Sequence, residues 1–383
     1  MLYRELGKTG VDVSILGFGC MRLPVLDGDQ TRIDTQLATR MLHHAIENGV
    51  NYVDTAWFYH GTGFSGPGGE SEPFVGRALS GGWRDRVNLA TKLPQQLCRE
   101  CDDMDRFLTQ QLERLQTDHL DFYLVHGLNG PAWDKMKSLG VIEFLERAQA
   151  EGRIRFPAFS FHGAAADFIR ICDDYDGWAF GQIQYNYMDT EFQAGRAGLL
   201  HAAEKGMGVV VMEPIKGGKL GDKMPAPMRA IFDERPEGWT PAEWALRYVW
   251  NEPGVSLTLS GMTEMQHVED NLAAAEKGLP NSLTADQLAV YVNAAETLRA
   301  NLKADCTRCL YCMPCPSGVD IPDVIASLNN ATMWGDANPF TTGYLQVKGK
   351  ASNCTECGTC LDECPQELPI PDLMKDAVEA FGS

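Results

Sequence analysis

Eight of the twelve cysteines fall within the last eighty residues, in two blocks that each end in a Cys-Pro pair. The first block is Cys306, Cys309, Cys312 and Cys315-Pro316; the second is Cys354, Cys357, Cys360 and Cys364-Pro365. Three thiolates at every third position can wrap one face of an iron-sulfur cube, while a fourth, held ahead of a proline, reaches a different cube. The spacing therefore predicts two [4Fe-4S] clusters. One takes Cys306, Cys309, Cys312 and Cys364, the other Cys354, Cys357, Cys360 and Cys315. The first block departs from the usual run by one residue, with two rather than three before its Cys-Pro. Disulfides are the plain alternative, but 383 residues bury a core without such staples. Structural zinc pairs two Cys-x2-Cys units across an intervening stretch, unlike three thiols in a row. Cys98 and Cys101 form a lone pair of this kind in a charged stretch and read as ordinary thiols.

Clusters of this kind lose iron to oxygen, and Met1–Gly10 contains no apolar secretory run, so a reducing cytoplasm is the expected compartment. The chain has no apolar run long enough to span a bilayer, which argues against membrane insertion. A formal net charge of -19 with no compensating lysine or arginine run opposes binding to nucleic acid. The same charge repels an acidic electron carrier unless a local basic patch receives it.

Ahead of the cysteines, short β-rich runs alternate with amphipathic helical stretches. Candidate strands are Ile15–Gly19, Asn51–Asp54, Val87–Lys92, Asp121–His126, Ala158–Ser160, Gly181–Tyr185, Gly208–Met212 and Val255–Ser260. Eight strands in about 260 residues predict a (β/α)8 TIM barrel. A doubly wound sheet fits less well, because no G-x-G-x-x-G follows the first strand. Helices are expected at Gln36–Glu47, Asp103–Leu115, Trp133–Ala150 and Pro241–Trp250. The predicted organisation is a barrel over 1–283, a helical linker over 284–302, and a small helical, ferredoxin-like iron-sulfur domain over 303–383. The last has few large apolar residues, so its metal centres are expected to supply much of its folding free energy.

Asp54, Tyr59, Lys92 and His126 each fall at or just after the C-terminal end of a predicted strand, the face where such barrels gather their chemistry. Singly, each has a dull explanation as a helix cap, a loop residue or a neighbour's partner. Jointly they supply what carbonyl reduction needs. Tyr59 can give a proton to the developing alkoxide, Lys92 can lower the phenol's pKa, Asp54 can hold Lys92 charged, and His126 can orient the carbonyl oxygen.

The segments Tyr3-Arg4-Glu5-Leu6-Gly7-Lys8-Thr9-Gly10, Val53-Asp54-Thr55-Ala56-Trp57-Phe58-Tyr59, Ala90-Thr91-Lys92 and Tyr123-Leu124-Val125-His126 resemble the aldo/keto reductase family. Within that family the chain resembles members with a C-terminal ferredoxin-like domain carrying two [4Fe-4S] clusters. The resemblance implies a nicotinamide cofactor, NAD(H) or NADP(H), lying across the strand ends. Ser160 and Gln182 occupy positions like those that bind the carboxamide. Phe161 stands where many members have asparagine, and Glu213 replaces the aromatic that stacks on the nicotinamide ring. Gly261 to Asn271 resembles the dinucleotide segment, with Gly261 suited to close approach of a pyrophosphate and Asn271 closing the motif. That segment has no basic residue for a 2′-phosphate, unless Lys216 or Lys219 supplies the charge from the preceding loop.

The function expected is therefore interconversion of a small aldehyde or ketone and its alcohol, with the clusters as electron relay or structural lid and a redox protein as a possible partner. Nicotinamides pass hydride and clusters pass single electrons, so electronic coupling requires a mediator such as a flavin. The alternative is an electron-transfer or redox-sensing protein that uses the barrel as a docking scaffold. Loops over His60–Glu70, Leu128–Trp133 and Gly217–Trp239 are candidate substrate walls, with Trp57 and Trp133 as candidate flat contacts.

Overall fold

The structure, a computed structural model, describes residues 1–63 and 66–382. It divides into two compact units, one of residues 1–217 with 242–283, the other of 218–241 with the chain from Thr284 onward.

The first unit opens with an antiparallel hairpin of β1 (Tyr3–Glu5) and β2 (Asp12–Ser14), two short strands beyond the eight expected. Its apolar residues Leu6, Val11 and Val13 join the same buried cluster as Tyr52, Phe122 and Phe180 inside the barrel, so the hairpin plugs the barrel's N-terminal end. Close approach requires glycine here: at Gly7, with φ +56°, a Cβ would stand 2.3 Å from the backbone nitrogen of Gly208.

Eight parallel strands follow: β3 (Leu16–Gly19), β4 (Tyr52–Asp54), β5 (Asn88–Leu93), β6 (Leu120–Leu128), β7 (Ile154–Phe161), β8 (Phe180–Gln184), β9 (Gly208–Met212) and β10 (Leu257–Ser260). They close in sequence order, with β10 pairing to both β9 and β3. The predicted barrel is the one observed. Side chains alternate across each strand, so Tyr52, Ala90, Leu124, Ala158, Phe180 and Val210 fill the interior. Their neighbours Val53, Leu89, Val125, Phe159 and Val209 pack outward against helices.

Helices Thr35–Glu47, Asp102–Leu115 and Pro241–Asn251 match expectation within a residue or so. The single helix expected over Trp133–Ala150 is instead two, Gly130–Ser138 and Val141–Ala150. Gly140, at φ +77°, breaks it, since a left-handed residue cannot continue a right-handed helix.

In the second unit, the helix Ala285–Arg299 begins with a reciprocal capping box between Thr284 and Gln287. It packs on the helix Ala226–Asp233 through Phe232 and Tyr291, whose rings lie 6.4 Å apart. Arg235 also pairs with Asp286. The stretch expected as a linker thus groups with residues 218–241, which had been expected as a loop. Helices Ile321–Trp334 and Ile370–Phe381 bury Val324, Leu328, Leu373 and Met374 in one cluster, against which Cys306, Cys312, Cys315, Cys354, Cys360 and Cys364 pack. No helix of the described residues is long and apolar enough to cross a membrane.

Candidate active site

The alternation that fills the barrel also builds the site. Asp54, Lys92, His126, Ser160 and Gln182 each lie two residues beyond an inward apolar residue of β4 to β8, so they are the inward side chains nearest the C-terminal mouth. Asp54 and Lys92 are almost wholly buried. Lys92 Nζ donates to Asp54 Oδ1 at 2.6 Å, to the Thr55 carbonyl at 2.8 Å and to Tyr59 Oη at 3.1 Å. The Tyr59 and His126 rings meet edge to face, 6.1 Å between centroids. All four residues singled out in the sequence are therefore brought together.

His126 reaches the mouth through an irregularity. The β6–β7 ladder is regular to Val125 opposite Phe159, then resumes at Leu128 opposite Phe161, so β6 carries one extra residue. Gly127, at φ +61°, takes up the bulge, and its N–H donates to Ser160 Oγ at 2.8 Å.

The charges of the site follow from burial opposed by contact. Burial pulls Lys92 down, but Asp54 and Tyr59 together hold it above the ordinary lysine value. Burial raises Asp54, with Lys92 opposing. Lys92 lowers the Tyr59 pKa as expected, but burial outweighs it, so Tyr59 stands above an ordinary phenol. Burial, then Lys92 and His162, push His126 well below an ordinary imidazole, leaving it neutral.

Behind Lys92 lies a network that sequence reasoning missed. Buried Glu72 accepts from Thr91 Oγ1 at 2.7 Å, Gln111 Nε2 at 2.6 Å and Arg114 Nε at 2.9 Å. Gln111 also donates to the Lys92 carbonyl at 3.0 Å, and Arg114 to the Gly69 carbonyl. Gly69 N–H in turn donates to the Trp57 carbonyl at 2.7 Å, so this network ties β5 to the loop that carries Tyr59. Nothing in the local sequence marks Glu72 as buried. Cys20, at the end of β3, is a second unforeseen neighbour; its thiol is raised by burial and Asp54 and stays neutral.

Gln182 is the clearest invitation to a ligand. It is 2 % exposed, its Oε1 has no partner, and its Nε2 meets only the Met212 thioether at 3.5 Å. A primary carboxamide would satisfy this amide, with the Ser160 hydroxyl beside it, so the residues present fit a nicotinamide. Phe161, by contrast, points outward and packs on Phe168 at 5.2 Å, as strand alternation requires. Glu213 is exposed at φ +55° and offers no aromatic face. Asn271 donates to Ser260 Oγ at 3.0 Å, and Gly261 follows β10 directly. Lys216 does not supply free charge, because it pairs with Asp189 at 2.5 Å, and Lys219, in the second unit, lies over the Trp334 ring at 5.2 Å.

The two tryptophans do not form a flat contact. Trp133 is fully buried and donates to Asp174 at 2.7 Å, and Trp57 is buried beneath the Arg114 guanidinium. The glycine-rich stretch after Tyr59 lies partly outside the described residues, but His60 within it accepts from the Leu23 N–H at 3.2 Å and pins that loop to the one after β3.

In the second unit the thiols surround two cavities. One of about 310 Å³ is lined by Cys312, Cys315, Cys354, Cys357 and Cys360, and a smaller one by Cys306, Cys309, Cys312 and Cys364. Each block thus sends its last cysteine to the other's neighbourhood, which fits the crossed ligation read from the spacing. Among the described residues no three cysteine, histidine or carboxylate side chains converge on a single-ion site; a cubane spreads its ligands more widely.

A closed parallel barrel with an Asp-Tyr-Lys-His constellation at its C-terminal mouth, followed by a cysteine-rich unit, defines a barrel oxidoreductase with an iron-sulfur module. The aldo/keto reductase family model matches residues 15–287, and a 4Fe-4S dicluster domain matches residues 305–368. The chain belongs to the aldo/keto reductase family and carries a C-terminal 4Fe-4S dicluster domain. It is 30% identical over 240 residues to the uncharacterized oxidoreductase YrpG of Bacillus subtilis, covering 58% of this chain and 69% of that one. It is 26% identical to L-galactose dehydrogenase of Arabidopsis thaliana, covering 71% and 87%. Aldo-keto reductase AKR11C1 from Bacillus halodurans, in its holo form, superposes with a TM-score of 0.61 at 26% identity, covering 78% of this chain and 97% of that one.

Proposed function

We propose that this protein interconverts a small aldehyde or ketone and its alcohol with a nicotinamide dinucleotide, Asp54, Tyr59, Lys92 and His126 forming the reacting centre. The observation that carries this reading is that one buried ammonium, Lys92, bonds Asp54 and Tyr59 together. A dihydronicotinamide, when bound, supplies hydride to the carbonyl carbon. Ser160 and Gln182 would hold its carboxamide. Neutral His126 offers an N–H to the carbonyl oxygen and orients it toward Tyr59. As negative charge grows on that oxygen, Tyr59 gives its proton, and Lys92 stabilises the phenolate left behind. Asp54 keeps Lys92 charged and aimed. In the reverse direction the phenolate takes the alcohol's proton, and an oxidised nicotinamide, when bound, would accept the hydride.

The pH dependence follows from the two opposing shifts. Tyr59, raised, remains a donor through neutral and mildly alkaline pH, and His126, depressed, is already neutral. Carbonyl reduction is expected to be flat between about pH 6.5 and 9, while alcohol oxidation rises with pH as phenolate forms. An inflection in the reduction rate near pH 7 would show that His126 titrates in the working range and sink this assignment.

The nucleotide follows from the segment after Gly261. Glu264, Glu269 and Asp270 lie there with no lysine or arginine between Gly261 and Ala275, a poor setting for a dianionic 2′-phosphate. NADH is expected to bind at least about tenfold more tightly than NADPH. Anaerobic fluorescence titration of the holoprotein with each tests both points. Tighter NADPH binding would overturn the preference, and binding of neither would overturn the nicotinamide reading. The eight block cysteines would hold the two clusters, whose first role in this reading is to form the core of the second unit.

A further inference from the structure

A cation does stand beside the dinucleotide segment, brought there by β3, the strand paired with β10. Arg22 follows β3 in the short 3-10 turn Cys20–Arg22 and is exposed. Its stem lies along Gly261: a Cβ on that glycine would stand 3.2–3.3 Å from Arg22 Cβ, Cγ and Cδ. Its guanidinium reaches Gly217, where a Cβ would lie 3.5 Å from Nη2. Arg22 therefore bridges the loops that follow β9 and β10, at two positions where the chain has no side chain of its own. Among the described residues no carboxylate or carbonyl takes a hydrogen bond from it. Most arginines of this unit behave differently: Arg4, Arg84, Arg114, Arg153 and Arg247 are all engaged.

One feature points to an anion at this place, and a second, deeper in the barrel, to the ligand that would carry it. Glu264, the N-cap of the eleven-residue helix Met265–Ala275, makes no side-chain cap, so the helix's first N–H groups are left for another acceptor. The buried, unpaired Oε1 of Gln182 marks where the other end of the same ligand is received. A dinucleotide held by its carboxamide at Gln182 and running toward Gly261 would bring its pyrophosphate near Arg22.

We infer that Arg22 is a positioning residue that clamps the pyrophosphate of the dinucleotide across the gap between Gly217 and Gly261. This inference rests on the nicotinamide reading above. A planar guanidinium can bind two phosphate oxygens at once, which an ammonium cannot, and it would serve NADH and NADPH alike. Gly217 and Gly261 are the space that lets it do so.

The test is anaerobic titration of cluster-loaded wild type, Arg22→Gln and Arg22→Lys with NADH, NADPH and ADP-ribose, with cluster absorbance and circular dichroism confirming intact fold. Arg22→Gln is expected to weaken all three by about 10- to 100-fold, with Arg22→Lys recovering part of the loss. The salt dependence of binding should flatten in Arg22→Gln, because one phosphate contact is gone. Affinities within twofold of wild type in Arg22→Gln would overturn the clamp while leaving the nicotinamide reading intact. Failure of wild type to bind any of the three probes would overturn both.

Discussion

Replacing Tyr59 with phenylalanine is expected to lower the rate of carbonyl reduction by about 10²- to 10⁴-fold, with NADH affinity unchanged within twofold. The substitution removes one oxygen and leaves the ring. Lys92 keeps Asp54 at 2.6 Å and the Thr55 carbonyl at 2.8 Å, so its ammonium remains paired. Truncating Lys92 itself would be a worse probe, since it strands the Asp54 carboxylate in a buried site and unfolding would be confused with lost chemistry. Single-turnover reduction at saturating NADH, beside thermal melting, separates the two. A Tyr59→Phe protein reducing carbonyls within tenfold of wild type would remove Tyr59 as proton donor and return the barrel to the status of a scaffold.

Two double substitutions distinguish crossed from block-wise cluster ligation by iron content. If Cys364 serves the first block's cluster, Cys306→Ser with Cys364→Ser damages one cluster, and iron falls from about eight to about four per chain. If each block binds its own cluster, that pair strikes both. Cys306→Ser with Cys315→Ser gives the opposite pattern, losing both clusters under crossed ligation. The placement of Cys364 beside the cavity of Cys306, Cys309 and Cys312, and of Cys315 beside the other, favours crossing. Loss of both clusters should also expose the loops around residues 305–317 and 353–365 to protease, because their cysteines pack against the apolar cluster of Val324, Leu328, Leu373 and Met374 and would lose the metal centres that tie them together. Full iron retention in Cys306→Ser with Cys364→Ser would refute ligation by these thiols altogether.

Alternation and spacing were legible in the chain because they are local. Eight β-rich runs alternating with helical stretches pointed to the barrel, and the place of Asp54, Lys92 and His126 at the C-terminal ends of those runs put them at its mouth. Cysteines at every third position before Cys-Pro gave the clusters, since a cubane's dimensions match that spacing. What the sequence could not carry was any balance between distant groups. The net direction of the Tyr59 shift depends on how completely the barrel excludes water, a sum over many neighbours that no short motif records. The same holds for Glu72, whose partners Thr91, Gln111 and Arg114 come from two other elements. The Gly127 bulge that aims His126 exists only as a mismatch between two strands. Arg22 is 239 positions from Gly261 in the chain, and only closure of β3 against β10 lays its side chain along that glycine. Sequence determined which groups face inward, because periodicity is a property of one strand; tertiary structure decided their charge, aim and reach, because those are set by what closes around them.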